Sequence, residues 1–166
     1  FQNALTENIV TGCTAAFNRD ALYLALQIKI PERVYFHDWW LYLVVAAFGK
    51  VIVDEEATIL YRQHSGNTIG RGAGFMQYVE IFRFIRKRSW VHIMYRQIEE
   101  FTTVYTPQLS RPQKTLLQKY FNPHEFSSVT RLIFSSKCFR QSLLGDIFLR
   151  SLIIVELASG RGLTPR

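Results

Sequence analysis

The sequence predicts an α/β domain over residues 1–74, followed by an α-helical extension over residues 75–166. Three observations carry that expectation. Residues 9–18, 50–53 and 58–62 are short runs enriched in β-branched side chains, as half-buried strands are. Between the first two lies an uninterrupted apolar run, residues 39–48, closed by Gly49, which has the length and stop signal of a buried helix. From Phe75 the period changes: Phe75, Tyr78, Val79, Phe82 and Ile85 recur at helical spacing, and the pattern continues less evenly towards Val104.

Taken in order, residues 9–18 mix β-branched with small residues, which suits a strand whose backbone is closely approached at Gly12; packing against a neighbouring strand is the plainer reason for a glycine there. Asn18 or Asp20 then caps a short helix through Ala21, Leu22, Ala25 and Leu26. Residues 29–36 contain Pro31 and read as a loop into His37-Asp38-Trp39-Trp40. Asp38 is placed as the N-cap of the apolar helix, since aspartate is among the best capping residues. A carboxylate held at a helix N-terminus also stays ionised and fixed in direction, so it can act as a general base on a substrate hydroxyl. The two roles are compatible.

After Gly49, residues 50–53 and 58–62 read as strands around the polar turn Asp54-Glu55-Glu56, the second strand running into Gln63-His64. Asp54 and Glu56 are too few oxygen donors for magnesium or manganese and read as solvated. Residues 65–74 hold four glycines, but Gly70, Gly72 and Gly74 lack the spacing of a phosphate-binding loop. Arg83, Arg86, Lys87 and Arg88 read as a solvated basic face, with anion binding as the other reading. Pro107 and Pro112 punctuate, and residues 113–120 and 124–135 read as two short helices parted by Asn122-Pro123, with His92 and His124 structural. The last helix, residues 139–159, carries Leu143, Leu144, Ile147, Phe148, Leu152 and Val155, with Asp146 and Arg150 paired on a narrow polar side. It either packs into the helical region or lies in a membrane interface.

Composition sets bounds. With 48% apolar and 20% charged residues the chain is globular, not disordered. Twenty lysines and arginines against 13 acids leave a net charge of +7, compatible with nucleic acid, anionic lipid or phosphorylated substrates. Cys13 and Cys138, far apart in sequence, suggest neither a disulfide framework nor a zinc site, which points to a reducing compartment. Neither residues 39–48 nor the charge-bearing residues 143–157 suit a transmembrane span. The opening Phe1-Gln2-Asn3, already like a fold interior, predicts a fragment of a longer protein.

Four motifs occur in order: Thr11-Gly12-Cys13-Thr14-Ala15-Ala16-Phe17-Asn18-Arg19, His37-Asp38-Trp39-Trp40, Gly49-Lys50-Val51 and Tyr61-Arg62-Gln63-His64-Ser65-Gly66-Asn67. Together they resemble the second half of a family 2 glycosyltransferase of the GT-A, Rossmann-like fold, nearest its bacterial rhamnosyltransferase-like members. The resemblance covers residues 9–70; residues 75–166 match only as a helical extension. It implies that Asp38 is the general base on the acceptor hydroxyl in an inverting transfer, with His37 standing where the family usually has a first acid. It implies a metal ligand at His64 and substrate contacts at Gly12, Thr14, His37, Trp39, Arg62 and Gln63. The implied cofactor is a divalent metal, Mg or Mn, whose other ligands lie in an N-terminal half; no Asp-x-Asp occurs in the 166 residues. The implied partners are a nucleotide-sugar donor and a glycan or lipid-linked glycan acceptor, with a cytoplasmic location and peripheral contact with the inner face of the membrane. The chain alone is expected neither to bind nucleotide-sugar well nor to turn over. A rival reading is a membrane-surface or protein-binding helical module without catalysis. Nucleic-acid binding ranks last, since no recognised motif and no basic stripe interleaved with aromatics is present.

Overall fold

The computed structural model describes residues 1–27, 29–57, 59–60, 89–160 and 162–163. Among the described residues the regular structure is helical throughout: α1 (Arg19–Leu26), α2 (His37–Phe48), α3 (Trp90–Tyr105), α4 (Arg111–Tyr120), α5 (Phe126–Phe134) and α6 (Leu143–Ala158), with short 3-10 turns at Asn3–Leu5 and Gly12–Thr14. The expected α/β, Rossmann-like class is therefore corrected, because no strand forms among these residues. Where a strand was expected over residues 9–18, the backbone closes on itself: the Thr14 amide donates to Thr11 at 2.8 Å and the Ala15 amide to Gly12 at 3.4 Å. Residues 50–53 have no regular structure, and Ile52 and Val53 are 78% and 65% exposed. The physical reason is that β-branched composition is only a preference for a half-buried pleated surface, and a strand without a paired neighbour has no ladder to satisfy its backbone. Of the second expected strand, Ile59 and Leu60 are exposed and carry no regular structure, while residues 61–62 lie outside the described residues.

The chain divides into two compact units, one made of Phe1–Val51 with Val91–Arg166 and the other of Ile52–Trp90. In the second unit the described residues 52–57 are exposed, and the Glu56 amide donates to Asp54 Oδ1 at 3.0 Å, a local turn. Among the described residues the core lies in the first unit. Trp39, Trp40, Leu43 and Val44 of α2 are fully buried, as the apolar run predicts. Trp40 stands edge-on to Phe101 of α3 with ring centres 6.2 Å apart, and Phe48 lies 5.3 Å from Tyr105. Aromatic side chains bury about 150–250 Å² each, worth roughly 4–6 kcal/mol of transfer free energy apiece, so this cluster dominates what fixes α2 against α3.

Helix ends follow local chemistry. Asn18 caps α1 by accepting from the Ala21 amide at 2.8 Å, one of the two expected candidates. Residues 111–120 form α4, which starts two residues earlier than expected, because Pro112 falls at the tolerant first turn and Ser110 with Gln113 forms a capping box. The last helix begins at Leu143 and not at Phe139: Ser142 accepts from the Gly145 amide at 3.0 Å and starts it. A Cβ on Gly145 would sit 2.8 Å from that hydroxyl, so a glycine is required for the cap to close. The expected Asp146–Arg150 pair forms, at 2.6 Å, but on the inward side of α6: Asp146 is 2% exposed. Asp146 accepts from the Phe139 amide at 2.7 Å, and Arg150 donates to the carbonyls of Ile133, Ser135 and Lys137.

That loop, residues 135–142, is also where the N-terminus attaches. Thr6 donates to the Phe139 carbonyl at 2.6 Å, Gln2 to the Cys138 carbonyl at 2.8 Å, and Glu7 takes both the Gln141 amide and the Arg140 guanidinium. Phe139, fully buried, packs between the rings of Tyr120 and Phe121.

Burial raises the pKa of Tyr42, Tyr95 and Tyr105, with Glu7 adding to the effect at Tyr42; the shift is large at Tyr95. The Tyr95 hydroxyl has no hydrogen-bond partner among the described residues. Two results are expected of Tyr95→Phe. Removing a buried unpaired hydroxyl stabilises the chain by about 1 kcal/mol in urea denaturation at neutral pH. A folded-state pKa above the unfolded value of ~10 means stability is at full value below that pH and falls as pH rises through it, so the variant also unfolds at higher pH than the parent. A lower alkaline midpoint in the variant would contradict the burial argument.

Candidate functional site at the start of α2

Phe36 is the N-cap of α2, in extended conformation (φ −116°, ψ 108°), and its carbonyl accepts the Trp40 amide at 3.0 Å. Asp38, expected at the cap, is thus the second residue of the helix, two positions past the cap. Its Oδ1 accepts the Trp39 amide at 2.8 Å, a charge-assisted bond that orients the carboxylate at the positive end of the helix. Asp38 is half-buried and His37 exposed.

The 3-10 turn at Gly12–Thr14 comes directly against this helix start. A methyl group built on Gly12 would lie 3.4 Å from His37 Nε2, 3.6 Å from Asp38 Cβ and 4.0 Å from Asp38 Oδ2. The small residue at Gly12 therefore leaves a notch beside the imidazole and the carboxylate. Close approach at Gly12, expected from a neighbouring strand, comes in fact from these two side chains. Three of the expected site residues, Gly12, His37 and Asp38, meet in one place although Gly12 and His37 are 25 positions apart in the chain.

The others do not. Thr14 is exposed, and its hydroxyl donates to the Thr11 carbonyl at 2.8 Å, holding the turn. Trp39, expected as a substrate contact, is fully buried and donates from Nε1 to the Ala4 carbonyl at 2.7 Å. Its role is to pin the start of α2 to the N-terminal turn, because an apolar ring of that size is worth more inside than beside a polar ligand. Arg62, Gln63 and His64 lie outside the described residues. Among the described residues no group of three His, Cys, Asp or Glu side chains could hold a metal ion.

Two features near or apart from the notch were not foreseen as functional. Cys13, in the same turn as Gly12, is a free, exposed thiol. A cleft of about 560 Å³ lies elsewhere, between α3, α4 and the loop after α4, lined by Arg33, Thr102, Thr106, Lys114, Gln118 and His124 among others. Its acids are engaged: Glu100 pairs with Arg33 at 3.2 Å and Glu99 with His124 at 3.0 Å. The only sequence signal for it is the row of threonines on one face of α3. His92, also read as structural, reaches the Gly162 carbonyl at 2.8 Å and Glu156 at 3.4 Å.

No helix among the described residues is long and apolar enough to cross a membrane. Compared with protein-family models, with curated proteins and with solved structures, the chain matches none.

Proposed function

We propose that the chain forms the acceptor side of an inverting glycosyltransferase, with Asp38 as general base. The observation that supports this reading is the notch itself: a half-buried carboxylate, oriented by a backbone amide, faces a turn whose glycine leaves space for a hydroxyl to reach it. In the reaction the acceptor hydroxyl gives its proton to Asp38 as its oxygen bonds the anomeric carbon of the donor sugar. The bond from that carbon to the nucleoside diphosphate breaks, and the diphosphate departs with the electron pair, inverting the centre. His37, exposed beside the same notch, donates or accepts a hydrogen bond to the acceptor and positions it. The donor is a nucleotide-sugar, rhamnose being the sugar the resemblance suggests, and its diphosphate is held with a divalent Mg or Mn by residues other than the described ones. The acceptor is a glycan or lipid-linked glycan of a bacterial surface polysaccharide, met in the cytoplasm at the inner face of the membrane.

The test is an amide-resolved NMR titration of the chain with short bacterial surface oligosaccharides. The reading requires the Gly12, Cys13, His37 and Asp38 amides to shift together, and Gly12→Leu, which fills the notch, to abolish the shifts while the rest of the spectrum is kept. Shifts confined to the α3–α4 cleft would move the acceptor site there and overturn the proposal.

A further inference from the structure

The structure assigns a membrane-docking role to the outer face of α6: we infer that it seats flat on an anionic phospholipid bilayer. The inference adds a docking surface to the transfer reading and stands on different residues. Leu143, Leu144, Ile147, Phe148, Ile154 and Val155 are all exposed, from 47% at Phe148 to 81% at Leu144. At 100° per residue, with Ser151 and Ala158, they fill one arc of about 140° on the helix, and no charged residue falls in it. The helix is apolar on both sides, since Leu149 and Ile153 are buried while this arc is exposed. Its charged groups face the protein or its flank: Asp146 is buried and bonded to Arg150, and Glu156 pairs with His92. An arc of large apolar side chains without a charge is far more than the scattered exposed leucines that water tolerates.

A bilayer surface is the occupant that the rest of the molecule fits. The 16 residues of α6 make a helix roughly 24 Å long, too short to cross a hydrocarbon core of about 30 Å but suited to lie in its interface. The chain carries a net charge of +7. Exposed cations stand on the segments held against α6: Arg131 on the adjoining α5, and Lys137, whose carbonyl is held by Arg150 on the flank of α6. Neither of the two acids of α6 projects from the outer arc to repel phosphate. Apolar insertion with flanking cations is the combination that binds acidic lipid surfaces.

Flotation of the full chain with vesicles of phosphatidylcholine containing about one part in four phosphatidylglycerol tests this directly. Expected results are co-flotation with these vesicles, several-fold less with pure phosphatidylcholine, and about tenfold or greater loss for Leu144→Gln combined with Ile147→Gln. Both substitutions are at exposed positions, and an unchanged far-UV circular dichroism spectrum confirms folding. Leu22→Gln with Leu26→Gln, exposed apolar positions on α1, should leave flotation as it was. Undiminished flotation of the α6 variant overturns the inference. So does a stable dimer that the α6 variant dissociates while neither form floats, since the face would then belong to a second copy. Flotation needs no sugar substrate, so its failure leaves the Asp38 reading standing, and failure of the NMR titration leaves this one.

Discussion

Arg150→Ala lowers the stability of the chain by about 3–5 kcal/mol, a large share of what a domain of this size has to lose. The substitution leaves Asp146 buried at 2% exposure with the Phe139 amide still donating to it, and it strips three carbonyls, those of Ile133, Ser135 and Lys137, of the Arg150 donor. An uncompensated carboxylate and orphaned carbonyls are both costly, whereas replacing both charges by apolar groups of similar size costs far less. Urea denaturation of Arg150→Ala beside the double variant Asp146→Leu, Arg150→Met separates the two terms. The single variant is the less stable of the pair; equal losses in both would show that the charge pair is not what holds the loop. The N-terminal segment is attached to the same loop, so the single variant also exposes Thr6 and Phe139, which hydrogen exchange at the Phe139 amide reports.

Asp38→Asn has the second large effect, on chemistry and not on folding. The asparagine oxygen can accept the Trp39 amide as Asp38 does at 2.8 Å, so stability changes by less than about 1 kcal/mol. It cannot take a proton from the acceptor, and general-base assistance is worth ~10²–10⁴ in rate. In sugar-transfer assays of the full-length enzyme, the proposed base role requires kcat to fall by that factor while the acceptor KM is little changed, because binding and proton removal are distinct. Retained kcat would return Asp38 to a purely structural role at the helix start. Gly12→Ala provides the contrast: its methyl meets His37 and Asp38 at ordinary contact distance, so the chain folds, yet the notch narrows and KM rises before kcat falls.

The sequence made the helices legible wherever period and cap agreed. Residues 39–48 with Gly49 behind them and Asn18 before α1 each combined a pattern with a stop or start signal and formed close to where they were read, whereas the last helix, read on its apolar repeat alone, starts four residues later than expected. The strands were illegible for a physical reason. Residues 9–18 and 50–53 have the composition of strands, but a strand is a property of a pair, and composition does not say whether a partner is present. The cap of α2 was misplaced by two residues, Asp38 for Phe36, because a half-turn shift in where helical angles begin is invisible to side-chain type. The inward turn of Asp146 was hidden for a different reason. An i,i+4 ion pair looks the same whether it faces water or anchors a loop, and only the loop carbonyls waiting for Arg150 decide it. Gly12 comes against His37 and Asp38 through the tertiary fold, which no period or cap signal in the sequence announces, and His64 lies outside the described residues.

The compact unit that holds the notch is assembled from two stretches of chain, Phe1–Val51 and Val91–Arg166, stitched by bonds from Gln2, Thr6 and Glu7 to residues beyond 137. Proteolytic nicking between those stretches should consequently yield two polypeptides that still travel as one particle through a sizing column. Expressed from separate plasmids, the same two pieces should find each other and rebuild the notch, as complementing fragments do. Anyone dissecting this protein by truncation would, by contrast, be cutting through its foundation.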